Sequence, residues 1–271
     1  MICDEELDRL AVVLVRARDP NNIGAVARAM YDFGFGNLRL VNEYPVPLER
    51  ARSAIDASSV LANAREFASV AAAVADCALV VGTTAVGSRR KEHPLFALAE
   101  AAPLLRAAMA SRPPDSPSEP SNDPNQRVAL LFGSEKTGLS NEELSHCHWL
   151  LTIPMHQTEG MRHASMNLGQ AAAVCLYELV RNPGADPEAK PLAGATPAAT
   201  GEDLERLTRL TIEVMEASGY ARRHPANFDE TLVRRLVLSM ALDRSHALAW
   251  TGILRQMMWK LRNPGGASTQ R

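Results

Sequence analysis

Cysteine is scarce in this chain of 271 residues: Cys3, Cys77, Cys147 and Cys175 stand far apart and form no CxxC pair. That spacing gives neither a disulfide framework nor a zinc knuckle, so the four read as buried fillers. His146, Cys147 and His148 look metal-like, but neighbours on a short helix end or strand cannot close a tetrahedron without distant partners, and no metal site is expected. Long apolar runs are lacking too. None approaches the roughly 18 residues of a membrane span, and the opening MICDEELDRL is acidic where a signal peptide is basic and then apolar. A soluble, cytoplasmic protein with no membrane partner is expected. Net charge is nearly absent, 29 basic against 31 acidic side chains, which excludes a protein that coats nucleic acid through its overall charge. Any such contact must be local. Two nucleotide signatures are also missing. Gly133 and Gly138 have P-loop spacing, but Leu139 and Ser140 stand where lysine and a hydroxyl should follow, and no GxGxxG occurs. A nucleoside triphosphatase or a standard dinucleotide-binding oxidoreductase is therefore disfavoured.

What remains is ample core material, 46% hydrophobic residues, in a length that suits one large domain or two ordinary ones. Two stretches interrupt it. Residues 111–126 carry five prolines and four serines and read as an exposed loop. Residues 182–200, with four prolines and six alanines, read as an interdomain linker. The predicted units are therefore 1–181 and 201–271. The second is the more basic, with 11 basic and 8 acidic side chains against 17 and 21 in the first.

In the first unit, short Val/Leu/Ile-rich runs at 11–15, 38–41, 78–81, 128–132 and 149–153 suit buried parallel strands. Helical spacing lies between them: Ile23, Val26, Ala27, Met30 and Phe33, then Val70 and Val74, then Leu95, Leu98 and Leu104, where Pro103 should kink or split the helix. The predicted fold class is α/β, a mostly parallel sheet with helices on both faces. The second unit reads as a small helical domain, with three helices marked by Leu204 to Val214, Leu232 to Met240 and Leu248 to Leu261, its methionines in the core.

Ligands of such sheets bind beyond the carboxyl ends of strands, and four ends carry unusual residues. After the first strand, Asn21 or Asn22 can cap a helix and Gly24 permits close approach near its N-terminus. Arg28 lies about 140° from Ile23, off the core face, free to serve a site or simply to pair with Asp32 at i+4. After the third run, Gly82, Thr83, Thr84 and Ala85 leave backbone groups open, and Arg89 to Lys91 supply cations, either for phosphate or as a solvated run. After the fourth, Gly133, Glu135 and Gly138 precede a capping box formed by Ser140 and Glu143. After the fifth, Ser165 is a plausible N-cap for an alanine-rich helix.

The segments NNIGAVARAM (21–30), NLRLVN (37–42), VGTT (81–84), FGSE (132–135), GLSNEE (138–143) and SMNL (165–168), in that order, resemble the SPOUT class of RNA methyltransferases. Within it they are most similar to the TrmH-related, TrmJ-type tRNA ribose 2′-O-methyltransferases. The resemblance covers about residues 8–181 and, more faintly, His224, Pro225 and Arg234 to Leu236. It implies a trefoil knot over about 128–180, a feature periodicity does not reveal. It implies S-adenosylmethionine held at Thr83, Thr84, Ala85, Gly133, Ile153, Ala164, Ser165 and Met166. It implies catalytic roles for Arg28, Ser165 and Asn167, and substrate contacts from Arg16, Asn22, Arg28 and Glu135. It further implies a homodimer with the site at the subunit interface, and tRNA as substrate, at nucleotide 32 of the anticodon loop; DNA is not expected. Further RNA affinity is assigned to the arginine clusters at 16 and 18, 89 to 91, 222 and 223, and 234 and 235. Ribosomal or other RNA is the alternative target, and a non-catalytic RNA-binding protein the alternative of another class. The chain departs from the pattern in a longer stretch between Ile153 and Ser165, in Ala164 where another serine is common, and in the 111–126 insertion.

Overall fold

The computed structural model describes residues 3–42, 57–85, 93–110, 127–156, 166–181 and 197–263. The Pro/Ser stretch 111–126, most of the 182–200 linker, the basic run 89–91, Ala164 and Ser165 lie outside the described residues.

Seven strands, β1 (Leu10–Val15), β2 (Asn37–Val41), β3 (Arg65–Phe67), β4 (Cys77–Thr83), β5 (Leu95–Ala97), β6 (Arg127–Phe132) and β7 (Trp149–Thr152), form one sheet. Its order is β3-β2-β1-β6-β4-β7-β5, with every neighbouring pair parallel. The helices before the linker are α1 (Asp4–Leu7), α2 (Pro20–Asp32), α3 (Ser58–Ala62), α4 (Val70–Ala73), α5 (Leu98–Ala110), α6 (Asn141–Leu144) and α7 (Leu168–Val180). After it come α8 (Gly201–Ala217), α9 (Tyr220–Arg223), α10 (Glu230–Ser239) and α11 (Arg244–Arg262).

All six residues of β1 are buried because both faces of the sheet are covered, which is why the strands read as unbroken apolar runs rather than alternating ones. On one face Val12, Leu14, Leu40, Leu130, Phe132 and Leu151 meet Ile23, Val26 and Met30 of α2, Leu105 and Met109 of α5, and Leu176 and Leu179 of α7. There α2 and α7 touch closely: a Cβ on Gly169 would stand 2.5 Å from that of Ala25. On the other face Val13, Val80, Leu131 and Leu150 pack with Val70, Val74, Leu139 and Leu144.

The helices after the linker share a small core, Leu204, Leu207, Val237, Ala247 and Leu254, and dock on the second face. Gly201 sits so close that an added Cβ would lie 2.4 Å from the Val74 carbonyl oxygen, and the Glu202 N–H donates to the Ala75 carbonyl at 2.9 Å. Arg234, 5% exposed, donates to Ser145 Oγ at 3.0 Å and to the carboxylates of Glu205 (3.0 Å) and Glu230 (2.5 Å). A buried guanidinium satisfied on three sides fixes the rotation of α10 against the sheet unit.

That anchor corrects the core expected for these helices. Val233, Arg234 and Val237 face inward, while Leu232, Leu236 and Met240 are exposed; on α11 Ala247, Thr251, Leu254 and Met258 are buried, while Leu248, Trp250, Ile253, Met257 and Leu261 are exposed. Arg234 is also not an RNA-facing cation. Two shorter corrections concern the sheet unit. Leu95, read as helical, belongs to an edge strand, because Leu150 N–H donates to the Pro94 carbonyl and Phe96 packs edge-on against Trp149, 5.3 Å between ring centroids. Pro103 does not split α5: the carbonyl that loses its donor belongs to Ala99, an exposed residue that water can reach.

Where the two layers meet, His146 and His148 lie beside α8 and α10. Burial and the neighbouring Arg234 push the His146 imidazole below its usual range, against the pull of Glu142, and burial takes His148 down to about 4. Both rings are neutral in the folded protein at neutral pH. The unfolded chain therefore binds more protons as the pH falls below about 6.5, so stability decreases from there toward about 4. Urea midpoints at about pH 7 and pH 5 should show this loss, and His148→Asn, which keeps an acceptor for the Val80 N–H, should shrink it. An identical loss in that variant contradicts the assignment.

Candidate active site

In the sheet order β6, β4 and β7 are neighbours, so the turns that leave their carboxyl ends start side by side. Thr83 and Thr84 tie the three together: Thr83 Oγ donates to the Leu131 carbonyl of β6 at 2.9 Å, and the Thr84 N–H donates to the Leu151 carbonyl of β7 at 3.0 Å. Ala85 follows, exposed, and Ile153 leaves β7 half-buried against the core shared by α2, α5 and α7.

The turn after β6 folds back on itself. Gly138 N–H donates to the Ser134 carbonyl at 2.8 Å, and a Cβ on Gly133 would stand 2.2 Å from Gly138 C and Leu139 N. No side chain fits there, so glycine at 133 is a steric requirement. Gly138 itself turns the chain at φ +66°. Leu139 then plugs into the second face of the sheet and Ser140 and Glu143 form the expected capping box at the start of α6.

Arg16 and Asn22 hold this turn from the β1 side. Arg16 occupies the left-handed region at φ +57°, a conformation that costs a non-glycine residue about 1 kcal/mol. Its guanidinium grips Glu143 with two bonds, Nε to Oε1 at 2.6 Å and Nη2 to Oε2 at 2.9 Å, and donates to the Gly138 carbonyl at 3.0 Å. Burial alone would raise the Glu143 carboxyl, but the bonds from Arg16 and the Ser140 backbone outweigh it and hold the group below the ordinary carboxylate range. Expected as a substrate contact, Arg16 is thus engaged inside the chain, as the clamp of the 134–143 turn.

From α2, Asn22 Nδ2 donates to Glu135 Oε1 at 3.0 Å, while its Oδ1 accepts from Asn167 Nδ2 at 2.9 Å. Asn167 caps α7, its Oδ1 accepting from the Gly169 N–H at 2.9 Å. Three polar residues from three separated segments therefore form one relay, Glu135 to Asn22 to Asn167. Met166 precedes it, half-buried. The cap of α2 is Asp19, with Pro20 opening the helix, rather than Asn21 or Asn22, and the cap of α7 is Asn167 rather than Ser165. Asn22 is thereby free of the capping role expected of it and joins the relay, while Asn167 serves as both cap and relay member. Arg28 lies on the exposed side of α2, its Nε donating to both oxygens of Asp32 at 3.0 and 3.1 Å, as the i+4 spacing allowed.

The sequence gives Glu143 a capping role, does not single out Thr137, and does not show that Arg16 joins Glu143, Thr137 and Gly138. Their contact with Arg16 spans more than a hundred residues of chain, which spacing does not show. Removing the guanidinium leaves Glu143, only 8% exposed at its side chain, without its main partner. Arg16→Ala should therefore destabilise the protein by about 2 kcal/mol in urea unfolding, and the Arg16→Ala, Glu143→Gln cycle should show strong coupling. Additive effects of the two substitutions contradict the clamp.

Comparison with known proteins gives the family of the chain. A family model described as the SpoU rRNA Methylase family covers residues 9–177. The tRNA (cytidine/uridine-2′-O-)-methyltransferase TrmJ of Sodalis glossinidius (strain morsitans) is 32% identical over 260 residues, 95% of this chain and 92% of its own. TrmJ of Cronobacter sakazakii (strain ATCC BAA-894) is 34% identical over 257 residues, 93% and 95% of the two chains. In three dimensions the chain is similar to TrmJ from Z. mobilis ZM4, with TM-score 0.69, 28% identity, and 91% and 98% of the two chains covered. The chain belongs to the SpoU rRNA Methylase family, together with the TrmJ tRNA (cytidine/uridine-2′-O-)-methyltransferases.

Proposed function

We propose that this chain is an S-adenosylmethionine-dependent tRNA ribose 2′-O-methyltransferase that modifies nucleotide 32 of the anticodon loop in the cytoplasm. The observation that carries the proposal is that the Glu135–Asn22–Asn167 relay starts on the turn after β6, the first of three strands, β6, β4 and β7, that are neighbours in the sheet. The names of the relatives supply the chemistry, and the sequence over residues 165–168 and 21–30 carries the motif.

The residues at the strand ends fit such a cofactor. Thr83, Thr84, Ala85 and Gly133 are small and offer backbone groups, and half-buried Ile153 and Met166 provide apolar surface for a purine. Ala164 and Ser165 complete the assigned set. When bound, the cofactor supplies an electrophilic methyl group. The protein must then hold a ribose hydroxyl in line with it and make that oxygen more nucleophilic. A guanidinium stays protonated at neutral pH and is a poor base, so Arg28 acts as a hydrogen-bonding and electrostatic partner that orients the ribose and stabilises charge developing on its oxygen, with a substrate phosphate taking the proton. Ser165 and Asn167 position this arrangement, and Asn22 and Glu135 fix the substrate side.

We further propose that the working unit is a homodimer in which Arg28 serves the cofactor site of the partner, with residues 128–180 threaded as a trefoil knot, 1–181 as the methyltransferase domain and 201–271 as a helical domain. Support for the dimer comes from the outer side of α2 and α7. Tyr31 (49% exposed), Val174 (37%) and Tyr177 (54%) are exposed there, and Tyr31 is within one helical turn of Arg28.

The test is mapping of ribose methylation on tRNA and ribosomal RNA treated with purified protein and labelled donor, since the family description names ribosomal RNA. A new 2′-O-methyl group at nucleotide 32 of tRNA is expected. Arg28→Ala should bind the donor with near-normal affinity and lose at least about a hundredfold in turnover. Methylation of ribosomal RNA alone, or normal turnover by Arg28→Ala, overturns the corresponding assignment.

A further inference from the structure

The connector between α8 and α10 is ordered without contributing to any core. No residue of Tyr220–Arg223 or of the 3-10 turn Pro225–Asn227 is buried. Its shape is nonetheless pinned. Gly219 enters it in the left-handed region at φ +76°, His224 N–H donates to the Tyr220 carbonyl at 2.9 Å, and Asn227 N–H donates to the His224 carbonyl at 3.0 Å. Asn227 Nδ2 donates to the Tyr220 hydroxyl at 3.1 Å, and the Tyr220 and His224 rings lie 4.6 Å apart at 36°. The result is a small exposed knuckle with two preset aromatic rings.

Its charge has one sign. No carboxylate lies between Glu216 and Asp229, and Arg222 and Arg223 end α9 side by side, exposed. Among the described residues neither guanidinium has an ion pair or a hydrogen bond. The nearest downstream acids are committed elsewhere: Asp229 caps α10 by accepting from Leu232 N–H at 3.2 Å, and Glu230 pairs with Arg234. In a chain of net charge −2, this is a local basic surface with planar side chains beside it.

We infer that the 219–228 knuckle is an RNA-contact surface, in which Arg222 and Arg223 bind backbone phosphates while Tyr220 and His224 stack on an unpaired base. Unstacked loop bases are recognised by aromatic faces, and phosphates by cations that hold no competing carboxylate. The inference deepens the proposed function and rests on its assignment of tRNA as substrate.

Four proteins test it: the full-length wild type, R222A/R223A, Y220A and Y220F. For each, tRNA binding by filter retention over a range of salt, tRNA KM, donor affinity and thermal midpoint are measured. R222A/R223A should raise the tRNA KM about tenfold and lower the slope of log K against log salt by about two, with donor affinity and thermal midpoint unchanged. Y220A should weaken tRNA binding about fivefold or more, and Y220F, which keeps the ring, should stay within about twofold of wild type. An unchanged KM and salt slope in R222A/R223A overturns the inference while leaving the methyltransferase assignment intact. So does a loss in Y220A equalled by Y220F, which would trace it to the Asn227 hydrogen bond. A wild type that neither binds nor methylates tRNA overturns both.

Discussion

The site depends on how tightly one turn is forced back against its own strand. Between Gly133 and Leu139 the backbone leaves no room for a Cβ, and the turn is gripped from outside by Arg16 through Glu143 and the Gly138 carbonyl. With the turn fixed, Glu135 comes within reach of Asn22, and Asn22 within reach of Asn167. A looser turn would take Glu135 out of reach of Asn22 and cut the relay at its strand end. The left-handed backbone at Arg16 fits this picture: conformational strain at the end of β1 is offset by a two-pronged, charge-assisted contact that no other side chain could make from that position.

The helices after the linker are joined to the sheet by a different device. Arg234 is buried among Ser145, Glu205 and Glu230, and Gly201 lets α8 approach the Val74 carbonyl without a side chain between them. Polar contacts with fixed geometry at this seam set the orientation of α10, and the exposed leucines and methionine on its other side follow from that choice. The arginines of the C-terminal unit therefore divide into separate roles. Arg234 serves cohesion, whereas Arg222 and Arg223, on a connector with nothing to bury, are left facing outward.

Much of the sheet was legible because parallel strands covered on both faces read as continuous apolar runs, as all of β1, residues 78–81 of β4 and residues 128–132 of β6 do. The three-residue strands β3 and β5 escaped notice, since Arg65–Phe67 and Leu95–Ala97 are too short for any period and are defined by neighbours rather than by their own residues. The phase of α10 was not legible either. Its Leu232–Leu236–Met240 stripe is as apolar as the Val233–Val237 stripe, and the choice between them is made by the partners of Arg234. In the site, the glycines and asparagines stood out through a resemblance of ordered motifs, and local rules explained only caps. The Arg16–Glu143 clamp was illegible because it joins the first strand end to a helix more than a hundred residues later.

The central claim is that the ends of β4, β6 and β7 form one cavity for a methyl donor. Amide chemical shifts of the labelled protein, followed during titration with S-adenosylhomocysteine, test it most directly. The account predicts saturable shifts concentrated at Thr83 to Ala85, Gly133 to Glu135 and Ile153 to Met155, all following one binding curve. Shifts confined to another part of the molecule, or separate curves for the three segments, would contradict it.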